Sequence, residues 1–288
     1  MRIALFQAQT GIDPDANAAE LVERVGEAAE GGAAMLFTPE MSGLLDRDRA
    51  RAEAHLFAEA EDPVLTAVRA AAAEARIWVH LGSLALRSGG DKLVNRGFVI
   101  DESGEVRARY DKMHLFDVDL PTGESWRESA SYQGGERPVL VETPLGLLGL
   151  SICYDLRFAG LYSRLSDAGA TLFSIPAAFT VPTGQAHWHV LVRARAIEAG
   201  AFVIAAAQVG RHADGRETYG HSLVVDPWGK VLLDMGGDGP RVGFADLDLD
   251  AVEEVRRRLP AIRHRRPIPE PEHAGAPVPA VGGALLAR

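Results

Sequence analysis

Three residues of different chemistry, far apart in the chain, each stand where a strand-like apolar run gives out. Cys153 directly follows Gly149-Leu150-Ser151-Ile152, Glu40 follows Phe37-Thr38-Pro39, and Lys112 follows Val106-Arg107-Ala108-Arg109-Tyr110-Asp111. A thiol is a nucleophile once it gives up its proton, a carboxylate drawn partly out of water suits a general base, and an ammonium steadies a developing oxyanion. Gathered at one place, the three would cleave an acyl bond through a covalent intermediate. Each alone also has an ordinary reading: a small buried hydrophobe for Cys153, a solvated strand-end carboxylate for Glu40, an edge lysine that discourages aggregation for Lys112. The turn after Ile152, just before a helix starting near Phe158, would hold the sulfur on a rigid element. Backbone N–H groups there would lower the thiol pKa and receive an oxyanion.

The elements that must position these residues alternate along the chain, which points to an α/β fold. Strand-like runs stand at Ile3–Gln7, Met35–Phe37 and Trp78–Ser83, with helices expected over Ala16–Gly31 and Pro63–Arg76. A hairpin follows, Gly97–Ile100 returning as Val106–Tyr110. His114 to Arg137 lacks periodicity and reads as a long loop, a length usually kept for function. Strands at Leu147–Ile152, Thr171–Ile175 and Phe202–Ala207, helices at Phe158–Ala168 and Ala186–Ala199, and a hairpin at His221–Val225 and Val231–Leu233 then repeat the pattern. Two related halves, with sheets packed face to face beneath outer helices, are expected. Residues 267–288 open on a proline- and glycine-rich run and read as a tail to a domain over 1–266.

The 288 residues are 47% hydrophobic and 24% charged, enough for one substantial core. The net charge of −10 argues against nucleic acid as a partner. The one basic cluster, Arg256–Arg258 with Arg263, His264, Arg265 and Arg266, follows acidic residues and reads as a salt-bridged or subunit-contact segment. No apolar run approaches the ~20 residues of a membrane span. Met1-Arg2-Ile3 leads straight into a strand without a signal peptide's apolar core, so a cytoplasmic location is expected. With Cys153 the only cysteine, an intrachain disulfide and a thiolate metal cluster are excluded.

Three stretches closely resemble the carbon–nitrogen hydrolase (nitrilase) superfamily: Pro39-Glu40, Asp111-Lys112-Met113-His114-Leu115-Phe116-Asp117, and Gly149 through Cys153-Tyr154-Asp155-Leu156-Arg157-Phe158. The resemblance covers nearly the whole chain to Arg266. It implies a four-layer α-β-β-α sandwich, assembled as a homodimer or higher homo-oligomer, with no metal and no organic cofactor. It also implies Cys153 as nucleophile, Glu40 as base, and Lys112 with the Tyr154 backbone N–H at the oxyanion. A further glutamate of the family's long loop is matched by Glu128, expected to orient Lys112 and the substrate amide, with Glu124 and Glu136 nearby as competitors. Ala186-His187-Trp188, Arg193–Glu198, Ala205–His212, Tyr219–Ser222, Val225–Gly229 and His264–Pro267 resemble the amidase branch that holds deaminated glutathione amidase and omega-amidase. The chain departs from the family at Ala159-Gly160, where Pro-Glu is usual, and at Gln185 and His189, where Pro and Glu are common.

For substrate binding, Arg157 lies four residues beyond Cys153, so a helical turn would bring both to one pocket, where the guanidinium grips a carboxylate or instead pins the helix. Phe179 and Thr183 are candidates for the opposite wall. His187, His212 and His221 lack a paired ligand spacing and read as structural. The expected activity is hydrolysis of a small, carboxylate-bearing primary amide through a thioester with ammonia release, deaminated glutathione being the favoured substrate. Omega-amidase action on 2-oxoglutaramate or hydrolysis of N-carbamoyl amino acids is the alternative. A scaffold or thiol-redox binding protein is the reading from another class, and alkylation of Cys153 with and without substrate separates it from an enzyme.

Overall fold

The computed structural model describes residues 1–119, 123 and 125–272. Most of the expected tail, and Glu124, lie outside the described residues. The first half runs β1 (Arg2–Gln7), α1 (Pro14–Glu30), β2 (Met35–Phe37), α2 (Pro63–Ala75), β3 (Trp78–Arg87), β4 (Leu93–Ile100) and β5 (Val106–Asp111). The second runs β6 (Leu140–Thr143), β7 (Gly146–Leu150), α3 (Ala159–Asp167), β8 (Leu172–Ser174), α4 (His189–Ala199), β9 (Phe202–Ala205), β10 (Leu223–Val225) and β11 (Val231–Asp234). The chain then returns as β12 (Arg241–Asp246) and α5 (Ala251–Arg258).

The helix starts follow from local chemistry. Asp13 accepts the N–H of Asp15 at 3.0 Å and Pro14 occupies the first turn, so α1 begins two residues before its expected start. Asp62 and Pro63 do the same for α2, the Asp62 carboxylate accepting the Leu65 N–H at 2.7 Å.

Two six-stranded sheets result, with orders β12-β1-β2-β3-β4-β5 and β11-β10-β9-β8-β7-β6. In each, three parallel strands are flanked by one antiparallel strand on one side and an antiparallel pair on the other. The two-residue period of a strand sorts the apolar residues into layers. Ile3, Leu5, Met35, Phe37 and Val99 share a core with Leu148, Leu150, Leu172, Ile204 and Val224 of the other sheet. Ala4, Phe6, Leu36 and Val79 instead pack under Leu21 and Val25 of α1 and Val64 and Val68 of α2. The second sheet is covered by Leu161 and Leu165 of α3 and Val192 and Ala196 of α4. The four-layer sandwich of two related halves is therefore the observed fold. None of the described helices is long and apolar enough to cross a membrane.

Three expectations change. The segment from His114 to Arg137 carries a short antiparallel pair, Asp117–Asp119 with Ser125–Arg127, then a 3₁₀ turn over Glu128–Ala130. The helix expected from Ala186 opens with a π turn over Gly184–Trp188. Strands β6 and β12 were absent from the sequence reading, and both lie on the outer side of a parallel trio. The basic cluster is salt-bridged, as one of its two expected readings has it, Arg258 to Glu254 and Arg265 to Asp167. In addition Arg256 donates to the carbonyls of Ala199 and Gly200 at 3.1 Å, closing the C-terminus of α4, and Arg265 reaches the Ser163 carbonyl at the end of α3.

Candidate active site

Glu40, Lys112, Glu128 and Cys153 meet at one end of the sandwich. Glu40 is 4% exposed and sits in a tightly held exit from β2. Ser42 Oγ donates to the Pro39 carbonyl at 2.7 Å and to Thr38 Oγ1 at 3.0 Å, while Thr38 Oγ1 accepts the Gly82 N–H at 3.0 Å. Residue 82 must be glycine here, since a Cβ would lie 2.2 Å from the Thr38 carbonyl oxygen and 2.3 Å from that of Pro39. The Gln208 side chain donates to the Glu40 carbonyl at 3.0 Å and to Thr10 Oγ1 at 2.7 Å, fixing the loop from below.

Lys112, 2% exposed, leaves β5 with its ammonium between two carboxylates: 2.8 Å to Glu40 Oε1 and 2.9 and 3.1 Å to the oxygens of Glu128. Glu128 also accepts the Phe116 N–H at 2.7 Å, so the loop hairpin brings it in and orients it. Glu136 is exposed and makes no such contact, which settles the choice among the described candidates. Burial would depress the Lys112 pKa, but Glu128, Glu40 and Cys153 outweigh it and hold the pKa well above the ordinary lysine value. The amine stays charged.

Cys153 is 8% exposed and begins a 3₁₀ turn, Cys153–Arg157, with its backbone in the left-handed region at φ 47°. A residue with a Cβ held there is strained, and surrounding bonds must enforce it. The Cys153 N–H reaches the Pro176 carbonyl at 2.9 Å. Asp155, fully buried, accepts from Ile152 N at 2.9 Å, Tyr110 Oη at 2.7 Å and His114 N at 3.0 Å. One carboxylate thus ties the nucleophile turn to residues on both sides of Lys112. The expectation of a lowered thiol pKa is corrected. Burial pushes the Cys153 thiol well up, the Glu40 carboxylate beside it adds to this, and Lys112 and the Ala178 N–H only partly oppose them. The resting group is a neutral thiol next to the Glu40 carboxylate.

Two further residues belong to the site. Asn95, in the middle of β4, donates to Glu40 Oε1 at 2.9 Å and Glu128 Oε1 at 3.3 Å, and the Ala178 N–H donates to Glu40 Oε2 at 3.0 Å. Asn95 left a signal, a buried amide inside the run Leu93-Val94-Asn95. Ala178 left none, because its contribution is a backbone N–H.

The proposed pocket wall is partly assembled. The Arg157 guanidinium lies 5.8 Å from the Tyr154 ring centre and 5.4 Å from that of Phe179, with His187 Nδ1 at 3.2 Å. Those contacts place it, since a 3₁₀ turn does not align residues four apart. Among the described residues no carboxylate pairs with Arg157, so it does not serve as a helix salt bridge. Thr183 is turned to Thr180, its hydroxyl 2.8 Å from Thr180 Oγ1, and no described contact joins it to the charged group. His212 is a buried structural histidine, 3.0 Å from the Thr10 carbonyl and 2.7 Å from Thr218 Oγ1, and burial lowers its pKa.

The sandwich of two related βα halves thus brings an acid, an ammonium and a thiol together at one end. Residues 2–257 match the carbon-nitrogen hydrolase family, and the chain belongs to it. It is similar to the deaminated glutathione amidase of Yersinia enterocolitica, 37% identical over 270 residues that cover 92% of each chain. Among solved structures, the C. elegans NitFhit protein is similar with a TM-score of 0.82 and 38% identity, over 92% of this chain and 65% of that longer one. An amidase from Nesterenkonia sp. AN1, solved as a glutamate-to-glutamine mutant with acrylamide added at its active site cysteine, is 29% identical with a TM-score of 0.75, over 90% and 98% of the two chains. The chain is thus an amidase of the carbon–nitrogen hydrolase family.

Proposed function

We propose that the chain hydrolyses the C–N bond of a small, carboxylate-bearing linear amide through a thioester on Cys153. The observation that carries this is the Lys112 ammonium held between Glu40 and Glu128 beside a buried thiol. Glu40 takes the thiol proton as sulfur attacks the amide carbon, so no free thiolate need stand in the resting enzyme. Lys112 and the Tyr154 N–H, at the start of a turn where no carbonyl of the same turn reaches it, receive the oxyanion. The protonated Glu40 gives its proton to the departing nitrogen. It then takes one from the water that cleaves the thioester, which returns the thiol and releases the acid.

Arg157, framed by Tyr154 and Phe179, supplies the charge that holds the substrate carboxylate, with bidentate geometry open to it. The similarity to a deaminated glutathione amidase supports that substrate. Deaminated glutathione keeps the secondary amide links of the tripeptide and has no primary amide, so its leaving group is an amine, which corrects the expected ammonia release for that substrate. Ammonia is the product only for omega-amides such as 2-oxoglutaramate and for N-carbamoyl amino acids. The proposed assembly is a homodimer or larger homo-oligomer, supported by exposed Val190 and Ile197 on α4 and exposed Trp228 beyond β10.

The test is release of amine and of ammonia across these three substrate classes, with Cys153→Ala alongside. We expect the highest kcat/KM for deaminated glutathione and a loss of at least roughly 10⁴-fold in Cys153→Ala, with its melting transition kept. Activity surviving in that variant removes the mechanism. A higher kcat/KM for an omega-amide removes the substrate but leaves the chemistry.

A further inference from the structure

A second cluster of side chains lies apart from the charged site, on the outer side of the second half. His189 opens α4, His221 precedes β10, and Asp234 ends β11. His189 Nε2 stands 3.0 Å from Asp234 Oδ2, and His221 Nδ1 stands 2.9 Å from Asp234 Oδ1. We propose that these three residues form a binding site for a divalent transition cation of the zinc type.

The donor set and its size both favour this. One ligand atom from each residue lies within 4.8 Å of the others. Zinc bonds of about 2.0–2.1 Å, set tetrahedrally, need ligand atoms roughly 3.3 Å apart. Each imidazole already stands near that distance from one oxygen of the Asp234 carboxylate, so a small side-chain adjustment brings all three donors onto one ion. Two imidazoles and one carboxylate suit zinc, nickel or copper, whereas calcium and magnesium prefer all-oxygen sites. The ligands are held from behind. Gly236 N donates to Asp234 Oδ1 at 2.9 Å, and the Tyr219 ring stacks on His221 with centres 4.4 Å apart. His221 holds a left-handed backbone, φ 53°, that turns its ring toward the other two. The side chains keep 25–35% of their surface open, which leaves a position for water.

The local spacing that the sequence lacks is supplied by the fold, from three elements 13 to 45 residues apart. Because α4 is thereby tied to the β10–β11 hairpin, a bound cation should stabilise the native state by mass action.

The experiment titrates Zn²⁺ into the chelator-treated full chain by calorimetry near neutral pH, with Co²⁺ as a spectroscopic probe of coordination. The expected result is one equivalent bound with a rise in melting temperature. Binding should weaken at least roughly tenfold in His189→Ala and in Asp234→Asn, stay unchanged in Cys153→Ala, and leave amidase turnover intact in the first two variants. Melting of each variant without metal verifies that it folds. Absence of binding by the parent chain overturns the proposal, as does equal binding by both cluster variants. Loss of binding in Cys153→Ala overturns it too, since the thiol would then be the ligand.

Discussion

The two halves share one topology and differ in what they place at equivalent positions. In register, Leu5 faces Phe37 and Phe37 faces His80; in the second half Leu150 faces Ser174 and Ser174 faces Ile204. Counting three residues onward from Leu5 and Leu150 makes Ala8 the counterpart of Cys153. The same count from Phe37 and Ser174 makes Ala177 the counterpart of Glu40, with Pro39 and Pro176 turning both chains alike. The second half thus contributes the sulfur, the first contributes the Glu40 carboxylate, and each leaves a small buried residue where the other carries a reactive group. Ala177 is fully buried and Ala8 is 1% exposed. Ala178, next to that silent alanine, spends its N–H on Glu40 Oε2. The site is therefore a junction between halves: the repeat supplies identical strand ends, and only one of the two symmetric combinations is charged.

The largest effect should come from breaking the first half's contribution. In Glu40→Gln the amide cannot take a proton, and turnover should fall by about 10²–10⁴. Since the Glu40 carboxylate helps hold the thiol pKa up, its removal should also move the pH profile of iodoacetamide alkylation to lower pH. A thiol that ionises more easily while turnover collapses distinguishes a missing base from a missing nucleophile. Unchanged turnover removes Glu40 from the chemistry.

Next comes the cation that joins the halves. Lys112→Met would leave Glu40 and Glu128, both mostly buried, facing each other without compensation. Uncompensated buried charge costs about 3–5 kcal/mol, so urea unfolding should show a loss of that order near neutral pH. In the parent chain the raised Lys112 pKa makes its contribution complete below the unfolded value of 10.5, and lost only as pH climbs through the higher folded one. A variant as stable as the parent would mean that the pair contributes no net stability.

The layered fold was legible because each strand announces itself by apolar content and each helix by spacing and caps such as Asp13-Pro14 and Asp62-Pro63. Cys153, Glu40, Lys112 and Glu128 were legible because family motifs surround them. What escaped depends on contacts that have no local sequence. Strands β6 and β12 gain their identity from pairing with β7 and β1, Asn95 from two glutamates at sequence distances of 55 and 33, and Ala178 from its backbone. The direction of the Cys153 pKa was misjudged for the same reason. The turn's N–H groups are local, whereas the burial and the Glu40 carboxylate that overrule them arrive from elsewhere in the chain.

The smallest of these effects tests a quieter asymmetry, His80 in β3 against Ile204 in β9. His80 is buried, its Nε2 is 3.3 Å from Ser174 Oγ of the facing sheet, and among the described residues its Nδ1 has no hydrogen-bond partner. Burial lowers its pKa to about 3, from an ordinary 6.5. The unfolded chain therefore takes up a proton below pH 6.5 that the folded one refuses, so this group's stability is full above that point and drains as pH falls toward about 3. By pH 5 the loss is about 2 kcal/mol, from 1.36 kcal/mol for each pH unit. His80→Ile, which copies the other half, removes this dependence. Urea midpoints should then fall less between pH 6.5 and pH 5 than in the parent, by an amount equivalent to about 2 kcal/mol. Identical pH profiles for the two chains would show that the imidazole titrates as freely inside the sandwich as outside it.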